Sequence, residues 1–559
     1  MKFLRVLCVL CSLFLPASAL DREAFAFTSY NLNVRIEPSQ QRIGVRGRIT
    51  LRNDSASAQK NVVLQISSTL DWKSVQLDGK PVQFFTQQYA SDIDHTGALS
   101  EAIVTLPHEV PSKGTLELDI GYEGVIPLDS TRLTRIGIPA DKAKHSDWDQ
   151  IGKTFTAVRG IGYVAWYPIA TEAASLSEGN SVPETVGRWK VKHADTTMDA
   201  QFESTSPDPI FFSGTRSMAL VNTASDIAKT ASFNMARPGV SVPTFVIADY
   251  QKLPPRDFLD IEFLSGQEDA AKDCADVASQ IDPIVPVGRG TRNLQILGLP
   301  DLDALSFVTQ GMLLIPLKPD LTNQAELDIV YALARQLVLS PRAWIQDGLA
   351  HYAQAEFIET QKGRQAALDY LSAHRAALAE AEKPNILEST HSLINAPDDF
   401  YLQVKSMYVW WMLKDMLGNL PREALLDYNA GDDKDPAYMQ RLMEKRYHVD
   451  WQWFFDDWVY HDRGLPDFRV ESVFYRPMDS GGFLVTITVE NLGSAGAEVP
   501  VSLEMESGEI RRRLQVRAKS KASLRIEAVS APKLVTVNDG SVPESDMSNN
   551  TYRIESLNH

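Results

Sequence analysis

The first part of the chain carries the residue pattern of β-strands. In the segments Tyr30–Ile36 and Ile43–Leu51, apolar residues alternate with polar ones. A period of two places the apolar side chains on one face of a strand and the polar side chains on the other. Asp78-Gly79 stands between strand-like runs and favours a tight hairpin turn. Because long segments with helical spacing are missing here, the pattern over residues 20–244 predicts a large antiparallel β-domain with one buried face.

The spacing changes between residues 245 and 464, where apolar residues recur every three or four positions. This spacing predicts amphipathic helices. Pro341 and Pro384 follow two of the periodic segments, and a proline cannot continue a helix beyond its first turn. The predicted helices cover Glu268–Ile281, Gln324–Leu339, Ala343–Thr360, Gly363–Ala381, Phe400–Leu417 and Asp435–Tyr447.

The alternating pattern returns in the last part of the chain. Apolar and polar residues alternate in Phe483–Val489 and again in Val499–Met505, and Gly493 and Gly496 mark a turn between them. Short strands separated by turns predict a small Ig-like β-sandwich over residues 465–559. The three regions together indicate a multidomain α+β protein.

The N-terminus has the composition of a secretory signal peptide. Lys2 and Arg5 form a short positive region, and Val6–Leu15 is almost wholly apolar. Ala17–Ala19 offers small residues at the two positions that a signal peptidase inspects. We therefore expect residues 1–19 to be removed and the mature protein to be periplasmic or secreted. The alternative is a membrane anchor, although the apolar run is shorter than the roughly 20 residues that a membrane-spanning helix needs.

Composition limits the classes of partner. The formal net charge is −17 and the 559 residues contain no dense run of Lys or Arg, so a nucleic acid would be repelled. No later segment approaches about 20 consecutive apolar residues, so we expect the mature chain to lack a membrane span. Cys8 and Cys11 fall inside the signal, and Cys274 alone cannot form an internal disulfide. Cys274 lies in an amphipathic segment and is expected to fill the core.

Four local segments resemble those of one enzyme family. Trp344–Tyr352 is similar to the motif W-x-N-E-G-x-A-x-Y, and Lys405–Leu413 to a K-G-A-x-x-x-x-M-L segment. Val242–Tyr250 resembles the strand that enters the family's catalytic domain, and Trp453–Tyr460 the end of its helical part. Together with the order of the three regions, these segments resemble the membrane alanyl aminopeptidases, which are gluzincin zinc metallopeptidases related to aminopeptidase N. The resemblance implies an aminopeptidase-like β-domain followed by a thermolysin-like peptidase domain over residues 245–464.

The resemblance also implies a zinc site, but the residues at its positions are replaced. In the family, two His residues of an H-E-x-x-H helix bind zinc, the Glu between them activates water, and a Glu on the next helix completes the ligand set. The sequence places Tyr331 and Arg335 at the His positions, Ala332 at the base and Asp347 at the last ligand. A guanidinium has no lone pair for a metal, and alanine cannot take a proton. We therefore expect no catalytic residue and no metal or other cofactor.

The positions that would bind substrate differ from the family pattern as well. The family motif G-x-M-E-N supplies a Glu that grips the free amino group of a peptide. Aligned on Met312, the motif continues here with two leucines, so no anion remains for that amino group. Gln403 stands where the family has an oxyanion-stabilising Tyr, and Tyr401 lies half a helical turn away. Gly311, Met312 and His351 are the candidates for residues that line a cleft.

Two questions about the altered zinc site stay open in the sequence. Arg335 either pairs with Asp347, so that one positive group replaces another opposite the same carboxylate, or both residues are ordinary solvent-facing charges. Asp347 and His351 are four residues apart and share a helical face, which would suit a remodelled metal site. Two ligands are too few for tight zinc binding. The alternative is that His351 binds no metal and is a surface or rim residue.

Oxygen-bearing side chains also cluster near the C-terminus. Calcium prefers such ligands, but a polar turn between the last two strands explains the same residues without an ion. The cluster consists of Asp539, Glu544, Asp546, Asn549 and Asn550.

Three functions follow as hypotheses. The first is an exported, catalytically inactive pseudopeptidase that binds a peptide or a protein partner in the vestigial cleft. The second is an active zinc aminopeptidase with a divergent ligand set. The third is a structural envelope module. The sequence does not indicate the ligand or the oligomeric state.

Overall fold

A computed structural model describes residues 20–179, 181–217, 229–237, 241–256, 258–281, 283–288, 292–381, 392–394, 399–461 and 463–554. The predicted signal peptide, residues 1–19, lies outside the described residues. The chain divides into two compact units, Met1–Asp249 and Tyr250–His559. It is a mixed α/β multidomain protein with a β-rich N-terminal part.

Strands dominate the described residues of the first unit. The strands are β1 (Phe25–Glu37), β2 (Arg42–Asn53), β3 (Gln59–Ser67), β4 (Leu70–Leu77), β5 (Lys80–Pro81), β6 (Gln83–Ala90), β7 (Ala98–Val110), β8 (Thr115–Val125), β9 (Phe155–Val158), β10 (Thr197–Ser204), β11 (Ile210–Phe212), β12 (Thr215–Arg216), β13 (Lys229–Ala236) and β14 (Phe245–Ala248). The helices are α1 (Thr131–Arg135), α2 (Ala140–Ser146) and α3 (Ser181–Lys192).

Within the described ranges, these strands form three sheets. The largest has the order β12-β13-β10-β1-β2-β8-β4-β5, and the smaller ones are β3-β7-β6 and β11-β14-β9. The alternating residues of β1 are buried on one face, as the pattern predicts. The described strand pairs are antiparallel, as the pattern predicts, except that β1 pairs in parallel with β10. An alternating pattern predicts which face of a strand is buried, but it does not predict whether the neighbouring strand is parallel or antiparallel.

A helix of 12 residues, α3, also departs from the all-β expectation. It buries Val182, Thr185 and Trp189, which follow the three- and four-residue spacing of a helix face. The helix lies in the chain between β9 and β10, within the long connection that leads from β1 to its parallel partner β10.

Two buried ion pairs lie in this unit, one formed by a residue of helix α1 and the other by the residue that follows β9. Arg132 donates to both oxygens of Asp147, at 2.6 and 2.8 Å. Arg159 donates to Asp149 through Nη2 at 2.7 Å and through Nε at 3.1 Å, and the same carboxylate accepts the backbone N–H of Arg159 at 2.6 Å. All four side chains are at least nine-tenths buried.

The second unit begins with a five-stranded sheet and continues with helices. Its strands are β15 (Gln251–Lys252), β16 (Leu259–Phe263), β17 (Leu294–Leu299), β18 (Phe307–Thr309) and β19 (Met312–Pro316). Its helices are α4 (Glu268–Ala278), α5 (Asn323–Leu337), α6 (Ala343–Lys362), α7 (Arg364–Ala381), α8 (Asp399–Leu417), α9 (Arg422–Asp427), α10 (Tyr438–Tyr447) and α11 (Gln452–Phe455), which runs into a π-helical turn at Asp456–Tyr460.

The sheet was not foreseen, whereas each predicted helix is present. Its order is β15-β16-β17-β19-β18, with β16, β17 and β19 parallel and the two edge strands antiparallel. Parallel strands buried on both faces are short apolar runs without alternation, and periodicity cannot separate them from buried helix segments. Cys274 lies fully buried in α4, and burial raises the pKa of its thiol to about 12, as expected of a core residue.

The C-terminal part consists of two antiparallel sheets with buried inner faces. The strands are β20 (Phe468–Pro477), β21 (Phe483–Asn491), β22 (Ala497–Met505), β23 (Gly508–Val516), β24 (Lys521–Ala528), β25 (Pro532–Val537) and β26 (Thr551–Arg553). The sheet orders are β20-β21-β24 and β23-β22-β25-β26. Val485 and Ile487 of one sheet and Val501 and Leu503 of the other share one core, as in a β-sandwich.

The oxygen-rich cluster of this region is occupied by protein donors. Glu544 is fully buried, and it accepts hydrogen bonds from the Phe468 backbone N–H at 3.0 Å and from Asn538 at 2.6 Å, with Asn550 as a further donor. Burial raises its pKa to about 7. Asp539 lies 3.4 Å from the guanidinium of Arg364. These contacts match the polar-turn interpretation, and the described carboxylates here do not form a convergent metal-binding group.

Across the part of the chain that the structure describes, no helix is both long enough and apolar enough to cross a membrane.

Candidate functional site

Helices α5 and α6 carry the residues that the resemblance assigns to a zinc site, namely Tyr331, Ala332, Arg335 and Asp347. Thr322 caps α5 by accepting a hydrogen bond from the backbone N–H of Ala325 at 3.2 Å. Pro341 lies between the two helices, and α6 ends at Gly363, whose φ of 84° suits glycine. Tyr331 and Arg335 are one turn apart on α5, so their side chains leave the same face.

The three side chains meet on one carboxylate oxygen. Nε of Arg335 lies 2.7 Å from Oδ1 of Asp347. The phenol of Tyr331 donates a hydrogen bond to the same Oδ1 at 3.2 Å. The side chains of Arg335 and Asp347 are only 10% and 14% exposed. Of the two alternatives that the sequence left open, the structure therefore shows the ion pair and not two solvent-facing charges.

The residues at this site do not fit zinc. The positively charged guanidinium of Arg335 forms an ion pair with the carboxylate of Asp347, which would be the remaining metal ligand. The phenol of Tyr331 points its proton at the same oxygen. Ala332 is fully buried and offers no group that could take a proton from water. Among the residues that the structure describes, the imidazoles and carboxylates around Asp347 do not form a convergent group of three metal ligands.

His351 lies beside this group and is more enclosed than a surface residue. Its ring centroid is 4.6 Å from that of Tyr331, and its Nε2 is buried without a hydrogen-bond partner. The side-chain amide N–H of Gln354 donates a hydrogen bond to the backbone carbonyl of Leu327 at 2.9 Å. The other end of the same amide, Oε1, is therefore an acceptor, and it accepts from Nδ1 of His351 at 2.9 Å and from the hydroxyl of Tyr370 at 3.1 Å. Nδ1 therefore carries the proton of a neutral imidazole. Its side chain as a whole is partly exposed, which agrees with the rim position expected from the sequence.

Burial of His351 predicts a loss of stability in mild acid. Burial lowers the pKa of the imidazole to about 4, while the unfolded value is about 6.5. Between these values the unfolded chain binds a proton that the folded chain does not, so the free energy of unfolding falls as pH falls from about 6.5 toward 4. We expect this imidazole to contribute a loss of about 2 kcal/mol between pH 7.5 and 4.5, measured by urea denaturation as the difference between the wild type and a variant without the imidazole, because the buried Glu544 of the same unit contributes in the opposite direction in both proteins.

A His351→Phe variant isolates this contribution, because it keeps a ring against Tyr331 without a titrating nitrogen. Relative to the wild type, its free energy of unfolding should be more favourable at pH 4.5 than at pH 7.5 by about the 2 kcal/mol assigned to the imidazole. His461→Gln is the matched control, since that side chain is mostly exposed, and it should keep the wild-type pH dependence. Equal acid loss in the wild type and His351→Phe would contradict the assignment.

The residues predicted on the substrate side take different positions. Met312 is buried in β19, between β17 and β18, so the expectation that it lines a cleft is wrong. Gly311 forms the turn before that strand with φ 69° and is partly exposed. Gln403 is partly exposed on α8, and the described residues give it no hydrogen-bond partner. Tyr401 accepts a hydrogen bond from the buried Lys405 ammonium at 2.7 Å and belongs to the helical core.

Sequence reasoning missed the residues that hold the site in place. Gln346 donates a hydrogen bond to the backbone carbonyl of Arg335 at 2.9 Å. Gln354 and Tyr370 orient His351 from two helices, α6 and α7. Gln354 stands three residues after His351, a spacing at which helix side chains meet, and this was the available signal. Tyr370 is distant in sequence and gave none.

No protein-family model matches the sequence, and no curated protein matches it.

Proposed function

We propose that the chain is an exported, catalytically inactive relative of the membrane alanyl aminopeptidases that binds a peptide or a protein segment. The observation that carries the proposal is the meeting of Tyr331, Arg335 and Asp347 on one oxygen. The positions that correspond to three zinc ligands bind each other, and the position of the general base is a buried alanine. The thermolysin-like character of residues 245–464 belongs to this proposal.

The partly exposed side chains of the site support binding rather than chemistry. Asp347 uses Oδ1 for Tyr331 and Arg335, while Oδ2 has no hydrogen bond from a described residue. A carboxylate oxygen of this kind suits an N–H donor such as a peptide amide or an ammonium. The rings of Tyr331 and His351 stand beside it and offer an apolar face to a peptide side chain.

The test combines metal content, hydrolysis and binding. The protein from residue 20 onward is incubated with zinc, desalted and analysed for metal, and then assayed with alanine and leucine anilides. We expect less than about a tenth of a zinc ion per chain and no hydrolysis above that of a blank. The reason is that the guanidinium of Arg335 cannot ligate a metal ion. One zinc per chain with hydrolysis would instead establish the active aminopeptidase.

Binding separates the pseudopeptidase from a structural envelope module. A mixed fluorescent peptide library is titrated with the wild type, with Asp347→Asn and with Asp369→Asn, whose carboxylate is exposed on α7. Asp347→Asn should weaken binding about tenfold, because it removes a charged acceptor, whereas Asp369→Asn should not. No binding by the wild type would favour the structural module.

A further inference from the structure

The altered site has the opposite polarity to a zinc site. A zinc site places a cation at the centre, with neutral or anionic ligands around it. Here a carboxylate oxygen, Oδ1 of Asp347, stands at the centre, and a guanidinium and a phenol donor face it. We infer that Arg335 has taken over the structural role of the metal ion and is the cation that joins α5 to α6. The inference deepens the proposed function and rests on it for the identity of the positions.

A cation is needed at this place because Asp347 is mostly covered. Its side chain is 14% exposed, and a carboxylate withdrawn from water is costly unless a positive group or several donors face it. The phenol of Tyr331 is a single neutral donor at 3.2 Å and supplies only part of that stabilisation. The guanidinium at 2.7 Å supplies the charge.

The same residue also closes the end of its own helix onto α6. Arg335 lies in the last turn of α5, where backbone carbonyls lack partners within the helix. Its carbonyl accepts the side-chain N–H of Gln346 at 2.9 Å, one residue before Asp347. The side chain and the backbone of Arg335 therefore both bind α6, and α5 and α6 are held together without a metal.

The first test measures thermal stability of the full mature chain with and without EDTA. EDTA should leave the wild-type melting temperature unchanged. Arg335→Met should lower it by about 6 °C, because Asp347 becomes a covered charge without a cation. Arg335→Met combined with Asp347→Leu should recover at least about half of that loss, since no orphan charge remains. An unchanged melting temperature for Arg335→Met overturns the inference, as does a wild type that EDTA destabilises.

The second test restores the polarity of a metal site. The substitutions Tyr331→His, Ala332→Glu, Arg335→His and Asp347→Glu are combined, and the control carries the first three with Asp347→Leu. We expect about one zinc per chain after desalting, with a melting temperature that zinc raises and EDTA lowers, and no retained zinc in the control. A folded variant that retains no zinc overturns the claim that Arg335 stands at a metal position.

The two tests separate this inference from the proposed function. If the combined variant does not fold, the Arg335→Met comparison decides the inference, because it requires no new site. Stoichiometric zinc in the wild type would refute both. The inference alone would be refuted if the wild type is free of zinc and binds peptides, but Arg335→Met has the same melting temperature as the wild type.

Discussion

Replacement of Arg159 by methionine is expected to lower the free energy of unfolding of the first unit by about 4 kcal/mol. The side chains of Arg159 and Asp149 are 2% and 0% exposed, and the guanidinium donates twice to the carboxylate. It also stacks between the rings of Trp148 and Tyr163, at 3.8 and 3.7 Å. Without it, Asp149 would stay buried with little more than a backbone N–H to balance its charge.

Hydrogen exchange of the amides of β9 measures this loss, because β9 ends one residue before Arg159. The matched control is Arg48→Met. Arg48 also pairs with a carboxylate, that of Asp119 at 2.9 Å, but its side chain is 55% exposed. An exposed pair contributes little, so the control should change stability by less than about 0.5 kcal/mol. Equal effects of the two substitutions would show that burial does not govern the Arg159 pair.

The second large effect is expected at Gly348, which follows Asp347 on α6. A Cβ atom at this position would lie 2.5 Å from Cβ of Ser406 and 3.1 Å from Cδ1 of Trp410, both on α8. Such overlap forces the two helices apart, and Gly348→Ala should cost about 2 kcal/mol even though alanine favours helices. The movement should also weaken peptide binding, because α6 carries Asp347 and His351.

A rescue variant tests this explanation of Gly348. Ser406→Gly removes the Cβ that the new methyl group would meet, so Gly348→Ala combined with Ser406→Gly should recover more than half of the lost stability. Urea denaturation of the second unit measures both variants. If Gly348→Ala alone is as stable as the wild type, α6 and α8 tolerate separation and the close contact has no structural role.

The helices of the second unit could be predicted because each carries its own pattern. Segment Ala343–Thr360 was predicted and α6 covers Ala343–Lys362, since apolar spacing, a preceding proline and a following glycine are all local. Strands β16, β17 and β19 were missed, because short apolar runs buried on both faces carry no distinctive period. The parallel pairing of β1 with β10 joins residues far apart in the chain, and no local signal encodes it.

The candidate site shows the same division. Its residues were proposed from the resemblance to aminopeptidase motifs, and the pairing of Arg335 with Asp347, one of two alternatives that the sequence left open, is present in the structure. Met312 was misjudged, because burial depends on what covers a side chain. Met312 is enclosed by strands on both sides, and the ring of His351 is covered by Tyr331 and held by Gln354.

The sequence by itself determined which residue types stand at the positions that the aminopeptidase resemblance assigns to zinc, and therefore what these side chains cannot do: a guanidinium cannot ligate a metal and an alanine cannot take a proton. These are properties of single side chains and need no fold. Only the tertiary structure decided that the guanidinium and the phenol share one oxygen of Asp347, within a largely covered site. That arrangement depends on how closely α6 packs against its neighbouring helices. This closeness is determined by contacts between residues far apart in the sequence, such as Gly348 and Ser406.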